Sequence, residues 1–373
     1  MFKFCDLPDD KATVELVNEA ANRLHHKLER LDIESLDISD YNKRYFGSLL
    51  KSLKSNLQKY TYILSWSIAN TGIPLNKFVF LDYGGGSGML SLLAKECNIG
   101  MVIYNDIYDV SAKDAELIGK AIGDQADYYV PGDIDEVIDF LNEKSISCNA
   151  IANYDVIEHI YDIEEFLRKM PLISDSNFRV FFSSGANPYN PVLKWKFVKN
   201  HYKCEFVDRE EVYGRKERDP LNSYSKIRRE IIKSSNPDLS DDQIKHLVTV
   251  TKGLIECDIK KAVNEYLSSG NITLKQKYPA YPTNTCDPYT GNWAEHLMDI
   301  YRLRDILENE NFSAYIWRGY YGDSNTLLKC LIARSLNLLI KNSGRYGLII
   351  SPFFTLCGDK LPASSNGLFN KPA

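Results

Sequence analysis

Two histidines stand next to carboxylates in a way that suits proton transfer. His159 follows Glu158 in the run Asn153-Tyr154-Asp155-Val156-Ile157-Glu158-His159-Ile160. His296 follows Glu295 at the end of the polar, aromatic stretch from Thr283 to His296. An imidazole with a pKa of about 6.5 accepts a proton near neutral pH. The two histidines are therefore rival general bases, with Glu158 beside the first. The alternative for His159 is capping or packing a helix start; for His296 it is a satisfied loop over the core. A different chemistry is signalled by Leu81-Asp82-Tyr83-Gly84-Gly85-Gly86-Ser87-Gly88. Glycines at 84, 86 and 88 let the backbone turn sharply and approach a ligand with no Cβ in the way. Further carboxylates, Asp106, Asp133 and Asp155, recur at the ends of later apolar runs.

These residues need elements to position them. The glycine loop follows Phe78-Val79-Phe80-Leu81 and precedes an apolar helical stretch, Met89 to Ala94. Strand, glycine turn and helix in sequence make a nucleotide-type pocket at the carboxyl edge of a parallel sheet. From 78 onward the pattern alternates. Strands are predicted near 78–82, 101–105, 127–130, 149–153 and 178–184, and helices at 88–96, 110–122, 134–144 and 162–170. Repeated alternation of this kind builds a parallel sheet with helices on both faces. Before it, helical spacing covers 12–31 and 43–69. After Ser184 the alternation stops, and helices are predicted at 222–235, 240–254 and 256–268. The sheet pattern then resumes, with a helix at 297–309, a strand at 312–318, a helix at 325–341 packed against the sheet, and a strand at 346–352.

The fold class read from this is α/β: a Rossmann-like, mostly parallel seven-stranded sheet with helices on both faces, N-terminal helices and a helical insertion. The expected divisions are an N-terminal helical segment at 1–75, a nucleotide-binding core at 76–186, an insertion or substrate lid at 187–291, a return of the core sheet at 292–360 and a tail at 361–373.

The totals narrow the class. The chain has 373 residues, 44% hydrophobic and 25% charged, which is the composition of an ordinary globular protein. A net charge of −5 leaves no electrostatic footprint for nucleic acid. Eight cysteines are scattered without a C-x-x-C pair, which argues against zinc. No run of about 18 apolar residues marks a membrane-spanning helix, and the first residues lack a signal peptide's apolar segment. The expected setting is cytoplasmic.

The spacing of the glycine loop selects among nucleotides. A dinucleotide fingerprint reads G-x-G-x-x-G; here the third glycine comes one place early and Asp82 stands two places before the first. Asp-x-Gly-x-Gly-x-Gly resembles motif I of the class I S-adenosylmethionine (SAM) methyltransferases. Asp155 to His159 is similar to the "D-V-L-E-H" signature of many small-molecule members. Glu295-His296-Leu297, with Leu303 to Phe312, resembles the "E-H-L…eLrrlLeeaGF" stretch of sugar and quinone methyltransferases. The resemblance covers 78–185, with echoes at 292–318. It implies SAM as cofactor, held by Asp82, Gly84, Gly85, Gly86, Gly88, Asp106, Asp133 and Asp155. Asp106 would accept from the ribose hydroxyls and Asp133 would lie near the adenine amine. Asp155, Glu158 and His159 also share the spacing of E-x-x-E-H metal ligands in some ubiquinone-type members. The first position here is an Asp, one carbon shorter, and no metal is assigned.

The activity implied is methyl transfer to a small polar substrate, with oxygen as acceptor and a sugar, sugar nucleotide or glycan precursor as the class. Lys194, Lys196, Lys199, Arg209, Arg215, Arg218, Arg228 and Arg229 make the insertion locally basic. They form either a salt-bridged surface or a seat for a substrate phosphate. The rival readings are an N-methyltransferase, an NAD-dependent sugar-nucleotide enzyme, and a non-catalytic SAM-binding or scaffolding protein. A homodimer is compatible with all of them.

Overall fold

The computed structural model describes residues 6–174, 177–209, 221–274, 280–322 and 326–362. Within the described residues the chain forms two compact units. The first comprises Met1–Val156, Glu164–Ser183 and Ile300–Ala373; the second comprises Ile157–Ile163 and Ser184–Asp299.

The first unit is built on a seven-stranded sheet of order β3-β2-β1-β4-β5-β7-β6. Its strands are β1 (Val79–Tyr83), β2 (Met101–Asp106), β3 (Tyr128–Pro131), β4 (Ala150–Tyr154), β5 (Arg179–Ser184), β6 (Phe312–Arg318) and β7 (Phe354–Lys360). The first five pair in parallel, and β6 pairs antiparallel with β7. This is the expected Rossmann-like, mostly parallel seven-stranded sheet. The inner strands are apolar on both faces because helices cover both. Helices α4 (Met89–Glu96), α5 (Asp109–Ile122), α6 (Ile134–Lys144) and α7 (Ile163–Arg168) follow β1 to β4 in turn. Phe80, Val102, Tyr104, Ala152 and Phe181 share one core with α1 (Lys11–Glu29) and α3 (Leu53–Ile68). On the opposite face the Tyr83 ring meets Phe166 of α7, 4.9 Å between centroids. Alternation along β1 therefore turns Asp82 toward α4.

Three expectations are corrected. The helix expected over 43–69 is two, α2 (Asp40–Lys51) and α3, broken at Ser52. The Asn56 amide donates to the Leu49 carbonyl at 2.9 Å, which satisfies a group released by the break. Apolar spacing continues across the break and so conceals it. The strand expected at 346–352 is a short 3₁₀ turn, Gly344–Ile349. The apolar run extends past Pro352, and its second half pairs residue for residue with β6. Finally, α13 (Leu327–Asn342) buries only Ala333 and Ile340 and leaves most of its leucines exposed.

The second unit is helical: α8 (Pro191–Phe206), α9 (Tyr224–Ser235), α10 (Asp241–Val250) and α11 (Glu256–Ser269). Helix α8 lacks apolar periodicity, but Asn190 caps it by accepting from the Val192 and Leu193 amides, and Pro191 occupies its first turn. Tyr224, Ile227, Ile231, Ile244, Leu247, Ile259 and Val263 form the core. The second unit ends at Asp299, and α12 (Ile300–Asn309) opens the part of the first unit that returns to the sheet. The reason lies in the backbone. The Trp293 amide donates to the His159 carbonyl at 3.4 Å and the His296 amide to the Glu158 carbonyl at 3.1 Å, so the two stretches belong together. Arg215, Arg218 and the tail from 363 lie outside the described residues.

Candidate functional site

In the first unit the glycine loop is fixed by the end of β2. Gly84, Gly86 and Gly88 have φ of 68°, 55° and 80°, in the left-handed region that a side chain disfavours. A methyl group on Gly85 would lie 2.6 Å from the Tyr104 ring. The Gly85 amide donates to the Asn105 carbonyl (2.8 Å) and the Gly86 amide to Asp106 Oδ2 (3.1 Å). The Tyr104 hydroxyl donates to the Gly86 carbonyl at 2.5 Å. Asn105 Nδ2 donates to the Val130 and Gly132 carbonyls, both at 2.9 Å, and so joins the loops after β1, β2 and β3. Sequence reasoning named Asp106 and missed Tyr104 and Asn105. A buried amide near the end of an apolar strand was the available signal.

The acids divide by role. Asp82 is 2% exposed, and its Oδ2 accepts from the Ser91 amide (2.9 Å) and hydroxyl (2.7 Å), which ties α4 to β1. Burial pushes its pKa up to about 7. The geometry thus makes Asp82 a clamp on the helix. Asp106 Oδ1 accepts from the Tyr108 amide at 3.0 Å. Asp133 opens α6 through a reciprocal capping box with Glu136. Asp155 is exposed at the end of β4 with a positive φ of 54°, and its amide donates to the Ser183 carbonyl at 2.9 Å. A non-glycine residue in that region signals a constrained turn.

Tyr45 of α2 joins this group unannounced. A methyl on Gly86 would lie 3.5 Å from its ring. Burial first, then the Asp155 and Asp106 carboxylates, push its pKa up to about 12. The phenol stays protonated at neutral pH and remains a donor. If Tyr45 donates to a ligand in the loop, Tyr45→Phe should weaken ligand binding about 5- to 10-fold, the worth of one hydrogen bond, with the melting temperature unchanged. Titration calorimetry reads this directly.

In the second unit, ligand atoms of Glu158, His159 and Glu295 lie within 4.8 Å of one another. His159 Nδ1 is 2.8 Å from the Trp293 carbonyl. A carbonyl only accepts, so Nδ1 carries the hydrogen and Nε2 is the basic nitrogen. Glu295 has a positive φ of 63°, and His201 Nε2 lies 2.8 Å from its carbonyl. Trp293 stacks between Tyr161 and His296, with centroids at 6.0 and 4.5 Å. The Asn284 side chain closes the segment by bonding both backbone groups of Leu297. His296 is fully buried, and its pKa falls to about 3 through burial first and His201 next. That makes it a weak proton acceptor.

The basic side chains of this unit are mostly engaged. Arg228 is fully buried and paired with Glu205, which also accepts from the Thr285 hydroxyl at 2.7 Å. Arg229 pairs with Asp241, and Lys194 and Lys199 lie over the Tyr281 and Trp195 rings. Among the described residues, Arg228 and Arg229 follow the salt-bridged alternative. A cavity of about 830 Å³ in the first unit is lined by His25, Leu28, Glu29, Lys51, Lys54 and Gly322, and none of the candidate groups border it.

No protein-family model matches the chain, and no curated protein matches its sequence. Among solved structures it is similar to a SAM-dependent methyltransferase from Archaeoglobus fulgidus, at 17% identity and a TM-score of 0.38, over 85% of this chain and 99% of that one. It is also similar to PKMT2 from Rickettsia typhi in complex with AdoHcy (13%, 0.37, 77% of this chain and 49% of that one). A third likeness is to YcgJ from Bacillus subtilis (18%, 0.30), where 38% of this chain matches 57% of that protein's length. Likenesses this distant carry no argument about chemistry, and the reading rests on the residues.

Proposed function

We propose that this chain is a SAM-dependent methyltransferase acting on a small polar substrate. Methyl transfer goes to an oxygen of a sugar, sugar nucleotide or glycan precursor, with His159 as general base. The observation that carries the reading is the bond from the Gly86 amide to the Asp106 carboxylate, which sets an acid against the glycine loop at the next strand end.

The residues present fit the cofactor. Positive-φ glycines leave the loop backbone bare, and a carboxylate offers about four acceptor directions for hydroxyl donors. Gly84 to Gly88, Asp106, Asp133 and Asp155 would hold the cofactor. Asp82 would contribute by anchoring α4 and Tyr45 by donating a hydrogen bond. The cofactor, when bound, supplies a methyl group on a sulfonium whose leaving group is neutral. The protein's remaining tasks are to align the acceptor, exclude water and remove the hydroxyl proton. His159 Nε2 takes that proton. Glu158 and Glu295 border it, with ligand atoms within 4.8 Å of one another.

Titration calorimetry tests the reading. SAM or S-adenosylhomocysteine is expected to bind in the micromolar range. Asp106→Ala should weaken binding about 10- to 100-fold, the cost of losing charge-assisted hydrogen bonds. Tight binding of NADH with none of SAM would overturn the assignment in favour of a nicotinamide enzyme.

A further inference from the structure

Helix α13 carries its apolar residues on the wrong side for a core helix. Leu327, Leu328, Leu331, Ile332, Leu338 and Leu339 each have more than half of their surface exposed. At 100° per residue they fall within one arc of the helix, with Ser335 and Asn342 between them. The opposite side holds the buried Ala333 and Ile340. There the Asn337 side chain bonds both backbone groups of Tyr321, at 2.8 and 2.9 Å. That pair fixes the rotation of the helix, so the leucine face points outward by construction. A contiguous exposed apolar face on this scale marks an interaction surface.

The charges say which kind. Lys329 borders the arc on one side, and Arg334 and Lys341 border it on the other; all three are exposed. From Ser324 to Gly358 the sequence contains no Asp or Glu, and Arg345 adds a further positive charge, in a chain whose net charge is −5. Apolar arc, basic borders and no acid are the pattern of a helix lying in a lipid–water interface, its long basic stems reaching back to the headgroups. At 16 residues α13 is about 24 Å long, short of the roughly 30 Å hydrocarbon core. No helix among the described residues is long and apolar enough to cross a membrane. A second copy of the same face would bring basic borders together with no acid on either helix to pair with them.

We propose that the outward face of α13 docks on an anionic membrane surface. The experiment uses the whole chain and vesicles of phosphatidylcholine, with or without phosphatidylserine, and needs no cofactor or substrate. The protein should sediment with the phosphatidylserine vesicles and not with pure phosphatidylcholine, and added salt should release it. Leu328→Asp with Leu331→Asp should lower the bound fraction at least about tenfold, since both lose apolar contact with the bilayer. Lys329→Gln with Arg334→Gln and Lys341→Gln should abolish the preference for the anionic lipid. All these positions are exposed, so the melting temperature should not move. Undiminished binding by the leucine variant, or no binding to phosphatidylserine vesicles, overturns the proposal. So does a wild-type dimer in solution that Leu328→Asp converts to monomer, which assigns the face to a second copy.

Discussion

His159→Ala is expected to lower kcat about 100- to 10,000-fold, the range for loss of a general base. SAM affinity should change little, because the residues proposed to hold the cofactor are others. His296→Ala should leave kcat per folded molecule far closer to normal, since an imidazole with a pKa near 3 has little capacity to hold a proton. His159→Gln separates base from brace. Its amide can still donate to the Trp293 carbonyl but cannot take up a proton. Recovery of the rate in this variant would reduce His159 to a positioning residue for Trp293. Normal rates in both alanine variants would reject both histidines.

The largest expected effect on stability belongs to Arg228. Its guanidinium is fully buried against Glu205, with a further bond to the Val248 carbonyl at 3.2 Å. Arg228→Met leaves the Glu205 carboxylate buried with the Thr285 hydroxyl but without its bonded cation. Breaking one side of such a pair costs about 3–5 kcal/mol, because the remaining charge keeps its desolvation penalty. Removing both sides, Arg228→Met with Glu205→Met, should recover most of the loss, since a well-packed apolar pair of similar volume avoids that penalty. Urea denaturation of the intact chain measures both. A loss under about 1 kcal/mol in Arg228→Met would show that the pair adds little beyond what an exposed one would.

Much of this was legible in the residues. The β–α alternation from 78 to 184 yields the strands of the parallel half-sheet because each is an apolar run closed by a turn signal. Motif I and the acids after β2 and β3 yield the loop and its neighbours. What remained hidden depends on packing. Asp82 looks like a ligand contact by position, yet alternation along β1 points it at Ser91. Tyr45 lies far along the chain from Gly86, and nothing local says that α2 brings it there. Arg228 counts as surface charge in a basic stretch, and only the fold buries it with Glu205. The exposed leucines of α13 have the spacing of a core helix, and periodicity alone does not tell which solvent an apolar face meets.

The position of β7 has a consequence for how the chain matures. It is the last of these seven strands in chain order, yet it lies inside the sheet between β5 and β6. Arg179 of β5 bonds Asp359 of β7 at 2.6 Å, and the same guanidinium donates to the carbonyls of Trp66 and Ala69 at 2.7 and 2.8 Å. During translation β5 is therefore an open strand edge while the whole helical unit and β6 are being made. Such an edge is a template for pairing with other chains. The sheet closes only when Phe354–Lys360 emerges, so nascent chains halted before that point are the form most exposed to aggregation.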